Sequence, residues 1–337
     1  MTSLPSLRRV GAALLLGAVV TTAGTGLAAC GATTPAAVDG PHRSVKDVDG
    51  KTVSVPEHPT RVAALSEPTL DDALALGVTP VGTITGRGQS TAPHYLAART
   101  AGIPILGGVA QPDYEAIADA KPDLILLDGT SINNNPDVLK ILNRIAPVFY
   151  AGYAGGDWRA NLTLVADALN KQAAGRQVLA RYDAKVAVAR KELAKRYAKD
   201  TFSIVRWQGD SASLILNELP AGIALTDLGL RRPPNQDRRG PGHSDPVSLE
   251  NLADIDADYL FFGTLGGSSV GNAEAGGSSD VSGATAAVRA AAQVPGFAQL
   301  KAYRDHHVIP VDGSLWTSTG GPILMTEIVD SVLEALR

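Results

Sequence analysis

Sulfur is scarce in this chain of 337 residues, which contains a single cysteine and only two methionines. One cysteine, Cys30, permits no disulfide within the chain and no thiolate metal cluster. Aromatic residues make up only 5% of the sequence, and the formal charge of -4 provides none of the basic field that nucleic-acid binding needs. The remaining composition is ordinary, because hydrophobic residues make up 45% of the chain. A chain of this length and composition can form two domains, each with its own core.

Hydrophobic runs of membrane-spanning length are also missing. The apolar stretch at residues 10–20 is too short to cross a bilayer comfortably, and it follows Arg8 and Arg9 and ends in small residues. A basic start, a short apolar segment and small residues together are typical of an export leader. The sequence therefore predicts a signal peptide over residues 1–29.

The only cysteine lies where a lipid anchor would be attached. Residues 27–30 read Leu-Ala-Ala-Cys, which resembles the bacterial lipobox; the resemblance implies cleavage before Cys30 and acylation of its thiol, with palmitate as a typical chain. We expect such chains to hold the protein at the extracytoplasmic face of the cell membrane. Residues 30–44 are small and polar, as in a flexible tether. The alternative is that Cys30 is an ordinary cleavage-region or buried residue.

One phrase of sequence occurs twice. Residues 112–128 read PDYEAIADAKPDLILLD, and residues 247–263 read VSLENLADIDADYLFFG. Glu115 matches Glu250, and each phrase ends in a run of apolar residues after a matched aspartate. Each copy has the pattern of a helix followed by a buried strand. The repeat indicates two lobes of like construction.

Beyond the tether, short apolar runs alternate with amphipathic segments. This alternation predicts parallel-type sheets covered by helices, in an N-terminal α/β lobe over 45–156 and a C-terminal α/β lobe over 200–337. Between them, residues 157–199 carry apolar side chains at spacings of three and four, which predicts a long helix. The expected fold is two Rossmann-like α/β lobes joined by one spinal α-helix. The apolar stripe is too short for a coiled-coil dimer, so we expect a monomer.

Candidate ligand contacts follow the predicted strands, because ligands of open α/β sheets bind outside the carboxyl ends of the strands. Arginines supply planar donor groups for an anionic ligand, and all three tryptophans fall at or just beyond a predicted strand end, which favours an amphipathic cleft, although tryptophan is also a common core residue. The predicted ligand-binding residues are Arg87, Thr130, Ser131, Tyr153, Trp158, Arg206, Trp207, Asn217, Arg238, Arg239, His243 and Trp316.

The order of these features carries a family resemblance. A lipobox, a tether, the EAIADAKPDLILL phrase, a long helix, the SLENLADIDADYLFF phrase and the tryptophan of VDGSLW follow one another. Together they resemble the helical-spine class of substrate-binding lipoproteins, which deliver ferric siderophores, haem or cobalamin to ABC importers. The resemblance covers residues 46–337. It implies capture and delivery without chemistry, with a ferric siderophore as the favoured ligand and haem or cobalamin as alternatives.

The resemblance also assigns roles to four residues. In that family a carboxylate on each lobe docks to a basic pocket of one permease subunit, and the matching residues here are Glu115 and Glu250. A glutamate in the first turn of a helix can also simply complement the helix dipole, so that alternative stays open. The family further places an arginine and a tryptophan at positions matching Arg87 and Trp316.

Neither a metal site nor a resident cofactor is expected. The six histidines are spread along the chain and do not cluster with carboxylates. Haem as a ligand would need an axial side chain, for which Tyr153, His94 or His243 are available.

A serine hydrolase is the alternative from a different class of protein. Residues 267–271 match G-x-S-x-G, and Asp305 and either His306 or His307 follow in hydrolase order. A nucleophile elbow must continue directly into a helix, whereas residues 263–283 are rich in glycine and serine and read as a mobile loop. We therefore expect no enzyme activity.

Overall fold

The computed structural model describes residues 40–132, 135–273 and 275–337. The predicted signal peptide, Cys30 and most of the tether lie outside those residues. Within them, no helix is both long and apolar enough to cross a membrane. The strands are β1 His42–Lys46, β2 Thr52–Pro56, β3 Val62–Ala64, β4 Gly82–Thr83, β5 Gly107–Gly108, β6 Gln111–Pro112, β7 Leu124–Leu127, β8 Val148–Tyr150, β9 Phe202–Gln208, β10 Ser211–Leu214, β11 Asp245–Val247, β12 Tyr259–Gly263 and β13 Val308–Pro310.

Helices alternate with these strands along the chain. Short 3-10 helices cover His94–Leu96, Leu249–Ile255 and Phe297–Gln299. The α-helices are α1 Glu67–Ala75, α2 Ala97–Thr100, α3 Tyr114–Asp119, α4 Pro136–Ile145, α5 Trp158–Ala168, α6 Gln172–Arg196, α7 Pro220–Asp227, α8 Val281–Ala291, α9 Lys301–Arg304, α10 Gly313–Trp316 and α11 Pro322–Ala335.

The first lobe begins with a hairpin and continues into a parallel sheet. Strands β1 and β2 pair antiparallel, and the side chain of Asp47 accepts hydrogen bonds from the backbone of Asp49 and Lys51 in the turn. The hairpin starts at His42, inside the segment assigned above to the tether, because Val45 is buried against the core. The main sheet is parallel in the order β4-β3-β7-β8. Its central strands are buried on both faces, which explains their unbroken apolar sequences.

The second lobe contains a mixed sheet in the order β11-β10-β9-β12-β13. Strands β9, β12 and β13 are parallel, as predicted. Strand β10 instead runs antiparallel to β9, because only Gly209 and Asp210 separate them and so short a connection can form a hairpin but no crossover. Gly209 adopts a positive φ of 58° in that turn. The predicted fold class is confirmed, with an antiparallel addition at one edge.

The repeated phrase has a structural explanation in the aspartate that precedes each apolar run. Asp123 accepts hydrogen bonds from the backbone N–H and the hydroxyl of Thr60, at 2.7 and 2.9 Å. Asp258 accepts the equivalent pair from Thr201, both at 2.8 Å. Each aspartate thus ties the start of a repeat strand, β7 or β12, to the start of its parallel neighbour, β3 or β9. The two lobes are built alike at this junction.

The predicted spinal region consists of two helices. Helix α5 ends at Ala168, the left-handed residue Asn170 follows with φ of 56°, and α6 then extends for 25 residues, or ~37 Å. Gly175 is needed near the start of α6, since a Cβ there would lie 2.9 Å from the Cβ of Ala166 on α5. A single hydrophobic core extends from Phe149 in the first sheet, past Tyr182 of α6, to the second sheet.

Polar contacts also join the lobes directly. Helix α11, near the C-terminus, packs against α1 of the first lobe as well as against α6. Asp71 of α1 accepts hydrogen bonds from the backbone N–H groups of Ile323 and Leu324, at 2.8 and 2.9 Å. Tyr95 donates its hydroxyl proton to the same carboxylate at 2.9 Å. A side chain of one lobe therefore caps a helix of the other.

Candidate ligand-binding cleft

A cavity of about 240 Å³ opens between the two lobes. It lies beyond the carboxyl ends of the parallel strands, where α/β proteins bind ligands. Both lobes contribute to its wall. The lining residues are Arg87, Gly129, Thr130, Ala154, Arg206, Leu219, Gly242, His243, Ser318 and Thr319.

Arg87 enters the cavity from the loop that follows β4. Its guanidinium donates to the carbonyl oxygen of Thr130 at 2.9 Å, and its backbone N–H donates to Glu67 at 2.9 Å. Gly88 allows this loop to turn, because its φ is 70° and a Cβ there would lie 2.6 Å from the carbonyl oxygen of Gly266 in the second lobe. The backbone on both sides of the cleft thus fixes the position of Arg87.

Arg206 enters the cavity from the opposite lobe. It is aligned with Gly263 in the parallel register, at the carboxyl end of β12. Its guanidinium donates to the hydroxyl of Ser244 at 3.0 Å and to the carbonyl oxygen of Thr317. Burial, and then the nearby charge of Arg87, lower the pKa of Arg206 to about 10, so it stays positively charged at neutral pH. Its Nε is buried without a hydrogen-bond partner among the described residues.

Glu67 connects the two sides beneath the cavity. Only 2% of it is exposed. Besides the N–H of Arg87, it accepts hydrogen bonds from the hydroxyls of Ser318 and Thr319, at 2.9 and 3.1 Å. Sequence reasoning missed these three residues. Glu67 begins α1 three residues after Ala64, the last residue of β3, so the strand-end criterion that selected Arg87 would also have found it.

Thr130 and Ser131 follow β7, as predicted, but only Thr130 lines the cavity. Asp128 accepts hydrogen bonds from the backbone N–H and hydroxyl of Thr130, at 3.0 and 2.6 Å, and burial raises the pKa of this aspartate to about 6. The buried Ser131 instead directs its hydroxyl to the carbonyl oxygen of Asp128 at 3.4 Å.

The three tryptophans are core residues, which corrects the prediction that they line the cleft. Trp207 is 1% exposed and packs on Phe262 and Phe297. It follows Arg206 in β9, and successive side chains of a strand point to opposite faces, so the arginine faces the cleft while the tryptophan faces the core. A position at the end of a strand fixes where the backbone lies, but it does not fix the face of the sheet to which the side chain points.

The other two tryptophans are enclosed by helices. Trp316 is fully buried, stacks on Phe261 with ring centroids 4.1 Å apart and donates its indole N–H to Ser331 at 3.1 Å. Trp158 is 3% exposed, packs edge-on against Tyr182 at 5.0 Å and reaches only a recess of about 20 Å³ beside the cleft. Neither can offer a ring face to a bulky ligand in this conformation.

The segment before β11 contributes two of its predicted residues to the cleft region. His243 lines the cavity, and Arg239 donates to the carbonyl oxygen of Gly155 in the first lobe at 2.8 Å. Arg238 instead pairs with Asp245 and borders a separate pocket of about 160 Å³. The structure therefore places Arg238 outside the cavity, because its local acidic partner holds it on the outer side of the segment.

Two further candidates are also held away from the cavity. The amide of Asn217 donates to Asp237 at 2.8 Å. The ring of Tyr153 is 44% exposed, and its hydroxyl donates to Asp49 on the β1–β2 hairpin. Tyr153 borders the small recess beside the cleft, whereas Asn217 lines neither space.

A larger cavity, of about 500 Å³, lies elsewhere, between α1, α6 and α11. Its wall includes the ion pair between Lys185 and Asp330. Burial raises the pKa of Glu327, also in its wall, to about 7. No strand ends there, so the cavity lacks the loop-built architecture of the cleft.

The two predicted docking glutamates occupy equivalent sites. Glu115 lies in the first turn of α3 and Glu250 in the first turn of the 3-10 helix Leu249–Ile255. Both are exposed, and neither forms a salt bridge with any residue that the structure describes. Their free carboxylates are available to a partner.

The G-x-S-x-G segment does not form a nucleophile elbow. Ser269 pairs with Asn272 in a tight turn, with an N–H to carbonyl distance of 3.1 Å. The next helix, α8, begins only at Val281. Among the described residues there is also no group of three or more histidine, cysteine or acidic side chains that could hold a metal ion.

Comparison with known proteins agrees with this architecture. A sequence profile of the family described as "Periplasmic binding protein" matches residues 62–315. The chain belongs to this family. It is 30% identical over 295 residues to the "Probable siderophore-binding lipoprotein YfiY" of Bacillus subtilis, with 86% of each chain covered. It is 27% identical to the "Achromobactin-binding periplasmic protein" of Dickeya dadantii, covering 81% of this chain and 85% of that one.

Solved structures share the fold of this periplasmic binding protein. Staphylococcus aureus SirA complexed with staphyloferrin B superimposes with a TM-score of 0.71 at 25% identity, covering 87% of this chain and 98% of that one. Bacillus subtilis FeuA complexed with ferri-bacillibactin gives a TM-score of 0.70 at 19% identity, covering 87% and 98%. The family resemblance inferred from the sequence is confirmed, and the protein is a binding protein of transporters and not an enzyme.

Proposed function

We propose that this protein captures a ferric siderophore in the cleft between its lobes and delivers it to an ABC permease. The observation that carries the proposal is the arginine pair: Arg87 from one lobe and Arg206 from the other line a single cavity at the carboxyl ends of both sheets. Ferric siderophores are negatively charged or strongly dipolar around the metal, and guanidinium groups suit such ligands. The printed names of the relatives above support the same ligand class.

Capture involves no covalent step. The ligand contacts side chains of both lobes, and direct contacts between the lobes limit how far they move on binding. Glu67 is hydrogen-bonded to loops of both lobes, and Asp71 caps α11 across the interface. These contacts and the rigid α6 favour a few degrees of hinge bending over large closure.

Delivery takes place at the membrane surface. Cys30 carries the lipid anchor, and the exposed Glu115 and Glu250 contact two permease subunits. Two exposed carboxylates at equivalent positions of a repeat suit a partner with two equivalent basic pockets. Replacing Cys30 with serine should move the protein from the membrane fraction to the soluble fraction, and unchanged membrane attachment would contradict the lipid anchor.

Haem as the ligand has weaker support. His94 is hydrogen-bonded to Asp312 at 2.5 Å, and Tyr153 is hydrogen-bonded to Asp49. Of the three axial candidates only His243 lines the cavity. Calorimetric titration of the full-length protein in detergent with a panel of ferric siderophores and with haemin tests the proposal. Saturable binding of at least one ferric siderophore is expected, and binding of haemin alone would overturn the siderophore function.

A further inference from the structure

We infer that the cleft selects an anionic ferric chelate of the carboxylate or hydroxycarboxylate type, bound by Arg87 and Arg206. This inference rests on the proposed function and specifies which ferric chelate the cleft accepts. Three properties of the cavity carry it: its charge, its free hydrogen-bond donors and the absence of phenylalanine, tyrosine and tryptophan from its described lining.

The charge of the cavity favours an anion. The positive charges of Arg87 and Arg206 are close enough to disfavour each other. Glu67, buried beneath the cavity, offsets part of this repulsion but brings one negative charge against two positive ones. An anionic chelate would compensate the remaining positive charge, whereas a neutral chelate would not. The cleft is therefore matched to negative charge.

The free donors of the cavity favour a carboxylate. The hydroxyl protons of Ser318 and Thr319 are committed to Glu67, and that of Thr130 is committed to Asp128. The guanidinium groups are thus the main remaining donors. A carboxylate only accepts hydrogen bonds and matches the planar guanidinium in geometry.

The nitrogen atoms of the two arginines show which donors remain. A guanidinium carries five N–H groups, four of them on its two terminal nitrogens. Within the described part of the chain, Arg87 uses one terminal nitrogen, Nη2, for Thr130, and Arg206 uses its two terminal nitrogens for Ser244 and Thr317. Each guanidinium therefore keeps terminal N–H groups for acceptor oxygens of a ligand.

The imidazole of His243 is the only aromatic ring in the described lining of the cavity. That described lining contains no phenylalanine, tyrosine or tryptophan, and the three tryptophans of the chain are in the core. Catechol rings and porphyrins gain from stacking on such side chains. Ligands of those two types would lose this contribution here, whereas a carboxylate chelate does not need it.

The space at the arginine pair does not by itself limit the ligand to a small one. The cavity measures about 240 Å³, and an adjoining space of about 250 Å³, lined by loops of both lobes, shares Arg87 with it. Arg239, which donates to the carbonyl oxygen of Gly155 across the cleft, limits further separation of the lobes. The selectivity is therefore carried by charge and hydrogen-bond donors and not by size.

The test compares three ferric chelates by calorimetry on the full-length protein in detergent: ferric citrate, the neutral trihydroxamate ferrichrome and the tricatecholate ferric enterobactin. Ferric citrate should bind at least tenfold more tightly than either of the others. Its affinity should also fall as salt is added, because charge contributes to it. Tighter binding of ferrichrome or ferric enterobactin would overturn the selectivity while leaving siderophore capture intact. Binding of none of the three would contradict the proposed function itself.

Arginine variants test the same inference at the level of residues. Arg87→Gln and Arg206→Gln should each weaken ferric citrate binding tenfold or more. Arg87→Lys keeps the charge without the planar donor group and should restore only part of the affinity. Arg238→Gln is the matched control, because Arg238 is paired with Asp245 outside the cavity. If both glutamine variants bound ferric citrate like the wild type, the inference would be wrong; should Arg206→Gln not fold, Arg87→Gln and the wild-type panel still decide it.

Discussion

Replacing Asp71 with alanine should weaken the direct connection between the two lobes. The carboxylate of Asp71 is fully buried and accepts hydrogen bonds from Ile323, Leu324 and Tyr95, at 2.8, 2.9 and 2.9 Å. Two of these donors are backbone N–H groups in the first turn of α11. An alanine would leave all three without this acceptor in the interior.

The expected magnitude is the difference between two opposing terms. Each buried donor left without a partner costs about 1–3 kcal/mol, so the three together cost about 3–6 kcal/mol if they relax in part. Burial raises the pKa of Asp71 from 3.8 to about 6. At about 1.4 kcal/mol per pH unit, the ionised carboxylate costs the folded protein about 3 kcal/mol above pH 6, and alanine removes this cost. The net loss of stability at pH 8 is about 0–3 kcal/mol.

The pH dependence provides the sharper test. A carboxyl group whose folded-state pKa is raised favours folding when protonated, and this contribution is lost as the pH rises from about 4 to about 6. At pH 5, ionisation of Asp71 costs the folded wild type only about half as much stability as it does at pH 8. Asp71→Ala should therefore destabilise the protein by about 1 kcal/mol more at pH 5 than at pH 8.

The assay is urea unfolding of both proteins at pH 5 and pH 8, followed by circular dichroism. Asp280→Ala is the control, because Asp280 caps α8 within one lobe and its pKa is lowered to about 2 by hydrogen bonds from Ser282 and Gly283. Loss of this cap should cost about 1 kcal/mol at both pH values. An equal or smaller effect of Asp71→Ala at pH 5 than at pH 8 would refute the burial argument, and no effect at either pH would refute the interlobe cap.

Three further predictions concern titration, docking and motion. Burial raises the pKa of Asp128 to about 6, so the stability of Asp128→Asn relative to the wild type should increase by up to about 3 kcal/mol between pH 4 and pH 7; a flat difference would contradict the raised pKa. Combining Glu115→Ala with Glu250→Ala should leave calorimetric ligand affinity unchanged but impair iron uptake in cells, and loss of binding would contradict the docking role. Small-angle scattering should give nearly the same radius of gyration with and without ferric chelate, since contacts between the lobes limit closure; a large compaction would contradict this.

Much of the fold could be predicted because apolar periodicity and local repeats report directly on secondary structure. The run at Leu124–Leu127 is buried on both faces of a parallel sheet, as its sequence indicates. The repeat correctly indicated two similar lobes, and the paired roles of Asp123 and Asp258 explain it. The break at Asn170 was not predicted, since an asparagine can adopt a left-handed conformation or remain in a helix.

The cleft was predictable only in part. Strand-end reasoning located Arg87, Arg206 and Thr130, which do line one cavity. It failed for Trp207, because the face on which a strand residue lies depends on register and packing that the sequence does not reveal. The same criterion applies to Glu67, but the role of this residue shows only in its contacts with Ser318 and Thr319, some 250 positions away in the chain.

The most direct test of the account is the position of bound iron. Crystals of the protein grown with ferric citrate should give an anomalous difference peak at the iron absorption edge inside the cleft, between the guanidinium groups of Arg87 and Arg206. A peak in the larger cavity between α1, α6 and α11, or no peak at saturating ferric citrate, would contradict capture of an anionic ferric chelate by this pair of arginines.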